Sequence, residues 1–340
     1  MIIRSMAPLR IGLAGGGTDV SPYSELYGGA VLNATVNLFA YASIIPKSDG
    51  KILFHSADRK ESEIVEAKSQ LELNGKHDLL KGVYNRIVRD YAHQPLSFEL
   101  TTSVDAPPGS GLGSSSTLMT AVIGAFMEWL RLPLGEYDLA RLAYQVERID
   151  LDYAGGKQDQ YAATFGGVNF MEFFAGDKVI VNPLRIKEET LKELAFNMIL
   201  YYTGTSRLSS SIIEKQQQSI KENLDTSVNA MHKTKEMAIL MKEALLKSEL
   251  NRLGELMNQG WEFKKQMAPG ISNAWLDEIY GAAMKSGATG GKISGAGGGG
   301  FMFFFCPGNT RYHVIDKLHR FGGTVQSFQF TKSGLRCWTV

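Results

Sequence analysis

This chain of 340 residues has few cysteines, almost no net charge and no long apolar runs. Two cysteines are too few for a disulfide framework or a zinc site. The net charge of +1 provides no basic surface for nucleic acid or a membrane, so local positive groups must hold any anionic ligand. No apolar stretch reaches membrane-spanning length, and MIIRSMAPLR lacks the apolar core of a signal peptide. We therefore expect a cytoplasmic enzyme.

Glycine, in contrast, is abundant, and its most informative cluster lies in Asp105–Thr117, which reads DAPPGSGLGSSST. Residues 96–104 alternate like a strand, and residues 117–130 form an apolar run of good helix formers. A bare backbone loop that opens onto a helix N-terminus suits a phosphate. A Walker loop is excluded because no lysine follows the last glycine. The alternative for this stretch alone is an ordinary N-capped helix after a turn.

Two further glycine clusters accompany this loop. The first, in Ala7–Asp19, reads APLRIGLAGGGTD and offers a hydroxyl and a carboxylate that suit a sugar hydroxyl. The other, in Lys292–Phe301, reads KISGAGGGGF and formally matches G-x-G-x-x-G. The dinucleotide interpretation fails because a strand-like FMFFFC follows, not a helix. The protein-kinase interpretation fails because neither H-R-D nor D-F-G occurs, which leaves a glycine-rich hairpin as the alternative.

Two carboxylates are candidates for the remaining chemistry. Glu147 lies in the helical stretch LAYQVERID, where an exposed salt-bridge partner is the alternative. Asp159 follows two glycines at the start of a short predicted helix, where it could merely cap that helix.

The three glycine clusters, in this order and spacing, resemble those of the GHMP kinases. The central loop is similar to the P-x-x-x-G-L-G-S-S signature with which that family holds the phosphates of ATP. The first motif, from Ala7 to Tyr23 and again from Gly28 to Asn37, is most similar to that of D-glycero-D-manno-heptose 7-phosphate kinases. That resemblance implies transfer of the ATP γ-phosphate to the anomeric hydroxyl of heptose 7-phosphate. The product would be the 1,7-bisphosphate used in nucleotide-activated heptose synthesis.

The same resemblance implies roles for single residues. Asp159 would accept the proton of the sugar hydroxyl or orient that hydroxyl, and Arg10 would keep Asp159 ionised and offset transition-state charge. Ser115 and Glu147 would bind Mg²⁺. The ATP site would comprise Pro108, Gly109, Ser110, Gly111, Leu112, Gly113, Ser114, Ser115 and Ser116. The sugar-phosphate site would comprise Gly16, Gly17, Thr18, Asp19, Arg207, Gly295 and Gly297.

Two features of the acceptor site cannot be carried over directly from other members of the family. Galactokinases have Gly-Glu-His-Thr-Asp where this chain has three glycines before Thr18 and Asp19, so their galactose contacts cannot form. A sugar phosphate also needs a cationic clamp, for which we prefer Arg207 to Lys157 and Lys215. Each of these cations could equally be a solvated surface group.

The predicted fold class is α+β, a two-domain GHMP kinase fold. An N-terminal domain of mixed sheet and helices would cover residues 1–185, and a ferredoxin-like C-terminal domain residues 186–340. Predicted helices cover 78–91, 114–131, 135–152, 157–164, 208–223, 226–247, 249–266, 273–286 and 310–321. Predicted strands cover 2–7, 10–14, 38–46, 51–56, 61–67, 96–104, 165–174, 178–183, 197–203, 292–294, 301–306 and 324–330.

Three rival functions stay open at this point. A fucokinase-type or other sugar-1-kinase carries a related first motif. A sugar sensor without catalytic activity is disfavoured because Arg10, Glu147 and Asp159 are all present. A scaffold protein is disfavoured by the cost of three glycine-rich loops. We expect ATP and a small sugar phosphate as ligands, and no nucleic acid or membrane partner. The sequence carries no signal for an oligomeric state.

Overall fold

A computed structural model describes residues 1–205, 209–222 and 224–340 of the chain. Its strands are β1 (Ile3–Ala14), β2 (Gly29–Pro46), β3 (Lys51–Ser56), β4 (Glu61–Glu66), β5 (Phe98–Val104), β6 (Val168–Phe173), β7 (Val179–Pro183), β8 (Met198–Tyr202), β9 (Gly290–Ile293), β10 (Phe301–Phe305), β11 (Thr324–Gln326) and β12 (Arg336–Thr339). Its helices are α1 (Tyr23–Tyr27), α2 (Asp78–Ile87), α3 (Ser114–Leu130), α4 (Glu136–Gln145), α5 (Gln158–Phe165), α6 (Glu188–Asn197), α7 (Ser209–Lys221), α8 (Asp225–Leu246), α9 (Leu250–Met267), α10 (Ala274–Lys285) and α11 (Arg311–Leu318).

The first sheet is mixed and has the strand order β12-β1-β2-β5-β3-β4. Strand β2 organises it, because its first residues pair with β6 and its later residues with β5, while β1 lies along its other edge. The pairing of β3 with β5 is parallel, whereas β1, β2 and β6 form antiparallel ladders. Helix α3 packs on this sheet with an apolar face that includes Met119, Val122 and Phe126, all fully buried. This places the start of α3 at the edge of the cleft described below.

The second sheet is antiparallel and has the strand order β11-β8-β10-β9. Helices α7 to α10 lie between β8 and β9 in the chain, and α11 lies between β10 and β11. A β-α-β-β-α-β chain with its four strands in the order 4-1-3-2 is ferredoxin-like. The predicted fold class is therefore confirmed, with extra helices in the first crossover.

The two sheets share one apolar core. Leu9, Ile11 and Leu32 of the first sheet belong to the same buried cluster as Leu200 and Phe303 of the second. The chain also returns to the first sheet at its end, where β12 pairs with β1 from Ile3–Thr339 to Met6–Arg336. We still propose 1–185 and 186–340 as the two domains, with the last strand inserted back into the first sheet.

Most predicted elements lie within a few residues of observed ones, and the differences have physical causes. The predicted strands 2–7 and 10–14 are one strand, β1, because a bulge between Pro8 and Arg10 carries it past the proline. The strand predicted over 324–330 is shorter, ending at Gln326. The predicted helix 135–152 ends its α-helical part at Gln145 and continues as a π-helical turn to Asp150. Helices α1 and α6, the first half of β2 and strand β12 were not predicted. Within the described residues, no helix is long and apolar enough to cross a membrane.

Candidate active site

A cleft of about 520 Å³ lies where the glycine-rich clusters meet. That volume suits a small-molecule site. Its lining includes these predicted site residues: Arg10, Gly16, Gly17, Asp19, Gly109, Ser110, Gly111, Gly113, Ser114, Ser115, Ser116, Glu147, Asp159 and Gly295. Residues that are 285 positions apart in the chain, Arg10 and Gly295, thus share one cavity.

The loop before α3 exposes backbone donors to this cleft. Gly113 precedes the helix in the left-handed region at φ 79°, and no side chain caps the first turn. The free N–H groups of that turn and the positive end of the helix dipole therefore remain available to an anion. Helix α3 begins at Ser114, directly after the Gly-Leu-Gly sequence, which agrees with the predicted order of strand, loop and helix.

The third glycine cluster packs against this loop and is hydrogen-bonded to it. The N–H of Phe301 donates to the carbonyl of Ser110 at 2.8 Å, and the Ser294 hydroxyl donates to the carbonyl of Gly111 at 2.8 Å. A Cβ on Gly111 would lie 2.3 Å from the Ser294 carbonyl oxygen, so no side chain fits there. The cluster is therefore not a dinucleotide loop but the loop of the β9–β10 hairpin, and it packs backbone against backbone to position the phosphate loop.

Glu147 belongs to the π-helical turn that follows α4, and its side chain reaches the start of α3. Both of its carboxylate oxygens accept hydrogen bonds there. Ser115 donates to Oε1 at 3.0 Å, and Ser116 and Gln160 donate to Oε2 at 2.6 and 2.7 Å. The carboxylate is almost fully buried, which excludes the alternative of an exposed helical salt-bridge partner. Mg²⁺ bound with a nucleotide usually takes only one or two protein ligands. The adjacent Ser115 hydroxyl and Glu147 Oε1 fit that pattern.

Arg10 and Asp159 form an ion pair in the centre of the cleft. Arg10 Nε and Nη2 lie 2.7 and 2.6 Å from the same oxygen, Asp159 Oδ1. Arg10 Nη1 also donates to the carbonyl of Gly111 at 2.6 Å. A Cβ on Gly113 would lie 3.3 Å from Asp159 Oδ2, so this second oxygen faces the phosphate loop. The pair thus stands directly beside the site where a phosphate would lie.

The loop after β1 forms the opposite wall. Asp19 Oδ1 accepts from the Gly17 N–H and from Gln158 Nε2, both at 3.0 Å, while Oδ2 accepts from the Gln158 N–H at 3.1 Å. Burial raises the pKa of Asp19, although the hydrogen bond from the Gln158 N–H opposes this. The negative charge of Asp159 raises that pKa further. Gly156 is required here, because a Cβ would lie 1.9 Å from Asp19 Oδ2.

Four predicted site residues do not line the cleft. Thr18 is fully buried, and its hydroxyl donates to the carbonyls of Gly15 and Ala30, so it fixes the loop rather than lining the cleft. Leu112 is a core residue, Pro108 is exposed outside the cleft, and the α-carbon of Gly297 faces Ile271. Arg207 lies outside the described residues, and its assignment stays a prediction.

The two other candidate clamp residues do not line the cleft. Lys157 is buried with Glu25 and Asp177, at 3.1 and 2.9 Å from their carboxylates, and Lys215 is exposed on α7.

Sequence reasoning missed several cleft residues, of which Gln158, Lys264 and Lys292 contact the predicted ones. Gln158 holds Asp19 through its side-chain amide, and its buried Oε1 has no hydrogen-bond partner among the described residues. Lys264 lies on the buried face of α9 with Leu253, Met257 and Trp261. A lysine at that apolar spacing was the signal that could have revealed it.

Comparison with known proteins agrees with this geometry. The GHMP kinases N terminal domain matches residues 78–167, and the GHMP kinases C terminal domain matches residues 241–324. The chain is 48% identical over 338 residues to D-glycero-alpha-D-manno-heptose 7-phosphate kinase of Campylobacter jejuni, covering 99% of both proteins. An L-fucokinase/L-fucose-1-P guanylyltransferase of Bacteroides fragilis is 28% identical, over 89% of this chain and 34% of that protein.

A solved structure is also similar over the whole chain. It is a D-glycero-D-manno-heptose 1-phosphate kinase from Bacteroides thetaiotaomicron, 45% identical, with a TM-score of 0.85 and 99% of both chains covered.

Proposed function

The chain belongs to the GHMP kinase family, and we propose that it phosphorylates the anomeric hydroxyl of D-glycero-D-manno-heptose 7-phosphate. Members of this family are ATP-dependent phosphotransferases, and this chain is an enzyme of that class with an alcohol group as acceptor. The observation that carries the proposal is the Arg10–Asp159 pair, which faces both the phosphate loop and the acceptor loop. The heptose phosphate acceptor rests on the 48% identity over the whole chain.

The phosphate position on the acceptor is part of the proposal. The Campylobacter relative is named a 7-phosphate kinase and the Bacteroides structure a 1-phosphate kinase. We propose the 7-phosphate as acceptor, because the first motif resembles that group of kinases. The product is then the 1,7-bisphosphate.

In this mechanism Asp159 orients the acceptor. Its Oδ2 accepts a hydrogen bond from the anomeric hydroxyl, while Oδ1 stays paired with Arg10. The sugar oxygen bonds to the γ-phosphorus as the bond from phosphorus to the ADP oxygen breaks, and the hydroxyl proton passes to Asp159. The proton moves late, after the new bond to phosphorus has begun to form. Phosphoryl transfer depends mostly on positioning and charge neutralisation, which these groups supply.

The loop from Gly109 to Ser116 binds the ATP phosphates through backbone N–H groups and the α3 dipole. We propose that Ser115 and Glu147 hold Mg²⁺, which neutralises phosphate charge when bound. Because Ser116 and Gln160 already fix Glu147 Oε2, the other oxygen is presented towards Ser115. Arg148 Nη1 also lies 3.4 Å from Oε1, so Mg²⁺ would take the place of that cation beside the carboxylate.

The rival functions are less well supported. The fucokinase relative is 28% identical, against 48% for the heptose phosphate kinase, and the chain covers only a third of its length. A non-catalytic sensor has no need for an intact Arg10–Asp159 pair beside a phosphate loop.

A substrate panel tests the proposed function. Heptose 7-phosphate, heptose 1-phosphate, fucose, mannose and galactose are each offered with ATP and Mg²⁺, and ADP release is measured. We expect the highest kcat/KM with heptose 7-phosphate. Turnover of a free hexose without turnover of either heptose phosphate would overturn the assignment.

A further inference from the structure

Two buried lysines in the cleft have no part in the proposed chemistry. Lys264 on α9 is 4% exposed and Lys292 on β9 is 5% exposed, and both line the cavity. Among the described residues, neither ammonium has an ion-pair partner within 4.0 Å. Charged groups are rarely buried in proteins without a partner. Their presence here therefore calls for an explanation.

Each lysine uses only part of its hydrogen-bonding capacity. Lys264 Nζ donates to the carbonyl of Gly295, and Lys292 Nζ donates to the carbonyl of Gly12 at 3.1 Å. An ammonium has three donors, so each retains donors that its protein contacts do not use. Both hydrogen-bond acceptors are neutral carbonyl groups, so among the described residues no ion pair neutralises either ammonium.

The surroundings make these charges costly. Burial, together with the charge of nearby Arg10, lowers the pKa of Lys264 to about 8, while the negative charge of Asp19 partly opposes this. Burial lowers the pKa of Lys292 strongly, with Lys264 and Arg10 adding to the effect. Arg10, which is paired with Asp159, lines the same cavity as the two lysines, and a bound anion would relieve the repulsion among these groups.

The position of the lysines identifies which anion they face. The nucleotide phosphates have their own site in the loop that begins at Gly109, on the α3 side of the cleft. Lys264 lies on the acceptor side, since its Nζ is 4.0 Å from where a Cβ of Gly16 would stand. Gly12, which binds Lys292, belongs to the strand that leads into the same acceptor loop.

We propose that Lys264 and Lys292 bind the phosphate group that the sugar already carries. This inference rests on the proposed heptose phosphate acceptor and adds the residues that recognise it. A dianionic phosphate accepts charge-assisted hydrogen bonds from both ammonium groups and compensates their charge.

The test compares Lys264→Met with Lys265→Met, its neighbour on α9, whose ammonium pairs with Glu262 on the protein surface. The dissociation constant of heptose 7-phosphate is measured by calorimetry without nucleotide, and the KM for ATP by ADP release. We expect Lys264→Met to weaken sugar-phosphate binding about 30-fold or more, because a hydrogen bond to a charged group is lost. The KM for ATP changes less than about twofold, and Lys265→Met behaves as wild type.

Three outcomes overturn the inference. They are unchanged heptose 7-phosphate binding in Lys264→Met, an equal loss of ATP affinity, and an equal loss of turnover with the same heptose lacking its phosphate. The last outcome would assign the lysine to the reacting centre instead.

Lys292→Met and a thermal unfolding curve keep the test independent of folding. If the lysines serve a ligand, both methionine variants unfold at a higher temperature than wild type, because an uncompensated buried charge is gone. A lower unfolding temperature together with loss of every ligand indicates a structural role and contradicts the inference. If wild type turns over free hexoses but neither binds nor phosphorylates heptose 7-phosphate, the proposed function itself fails. If wild type does phosphorylate it and the methionine variants bind it normally, only this inference fails.

Discussion

The nucleotide half of the cleft satisfies its own polar groups, whereas the acceptor half leaves charges without compensation. In the nucleotide half, Glu147 accepts hydrogen bonds from Ser115, Ser116 and Gln160, and the loop binds its ligand with backbone groups. In the acceptor half, Lys264 and Lys292 are buried and donate to carbonyl groups, without an ion pair among the described residues. The first half is therefore built before the ligand arrives, and the second is completed by the ligand. Recognition of the acceptor is thus expected to depend on charge and pH, and recognition of ATP much less.

The largest expected effect is on kcat, from a change at the Arg10–Asp159 pair between the two halves. Asp159→Asn keeps the size of the side chain but removes the proton acceptor, so kcat should fall about 1,000-fold. ATP binding should stay within about threefold of wild type, because the loop that holds ATP is unchanged. The matched control is Asp152→Asn, which lines the same cleft and forms no ion pair with Arg10. Unchanged turnover in Asp159→Asn would remove Asp159 from the mechanism.

Glu147→Gln tests the nucleotide half. It removes the negative charge while keeping a carbonyl oxygen near Ser115, so the Mg²⁺ concentration needed for half-maximal rate should rise about 100-fold. The dissociation constant for heptose 7-phosphate without nucleotide should not change. Glu136→Gln, at the exposed start of α4, is the control. Loss of sugar-phosphate binding in Glu147→Gln would show that the two halves are not independent.

The pH dependence tests the acceptor half. The lowered pKa of Lys264, about 8, means that its proton is lost as pH rises through 8 in the free protein. Sugar-phosphate binding then has to restore that proton, so the KM for heptose 7-phosphate should rise about tenfold between pH 7 and pH 9. The other charged groups lining the same cleft are Arg10, Asp19, Glu147, Arg148, Asp152, Asp159, Glu214 and Lys292. The KM for ATP should stay flat, and Lys264→Met should abolish the rise.

The last comparison is between two buried lysines, Lys264 and Lys157, and its readout is the free energy of unfolding. Burial holds the pKa of Lys264 at about 8 instead of 10.5, which costs the fold about 3 kcal/mol at pH 7. Lys264→Met should therefore stabilise the protein by about 2 kcal/mol, after about 1 kcal/mol for the lost hydrogen bond to Gly295. This gain is fully present below pH 8 and disappears as pH rises towards 10.5, where wild-type Lys264 folds uncharged.

Lys157→Met is compared with Lys264→Met, because Lys157 is a buried lysine that does form ion pairs. Lys157 pairs with Glu25 and Asp177, and these ion pairs raise its pKa against the effect of burial. Removing it should destabilise the protein by about 2 kcal/mol, discounted because Asp177 is 45% exposed. The KM for heptose 7-phosphate should change less than about threefold. Urea unfolding of both variants checks the opposite signs, and equal signs would contradict the distinction between a structural and a ligand-binding lysine.

The geometry of the nucleotide half could be predicted from the sequence, because the groups proposed to hold the phosphates are backbone N–H groups in a short glycine pattern. Strand β5, the loop and helix α3 follow one another in the chain, and the structure brings Ser115 to Glu147 and Arg10 to Asp159. The roles assigned to these residues stay predictions.

The acceptor half was harder to predict because its residues come from separate elements. Lys264 and Lys292 meet the first motif only through packing of the second sheet against the first. Thr18 has the right chemistry for a sugar contact, yet the tight turn at Gly15 takes up its hydroxyl. A sequence pattern cannot show which polar groups are already satisfied.

The most direct measurement of the central claim is the phosphorus-31 NMR spectrum of the product formed from heptose 7-phosphate and ATP. The account predicts two sugar phosphate signals, one of them coupled to the anomeric proton, which identifies the 1,7-bisphosphate. A new phosphate on any other carbon, or ATP consumption without a second sugar phosphate, would contradict it.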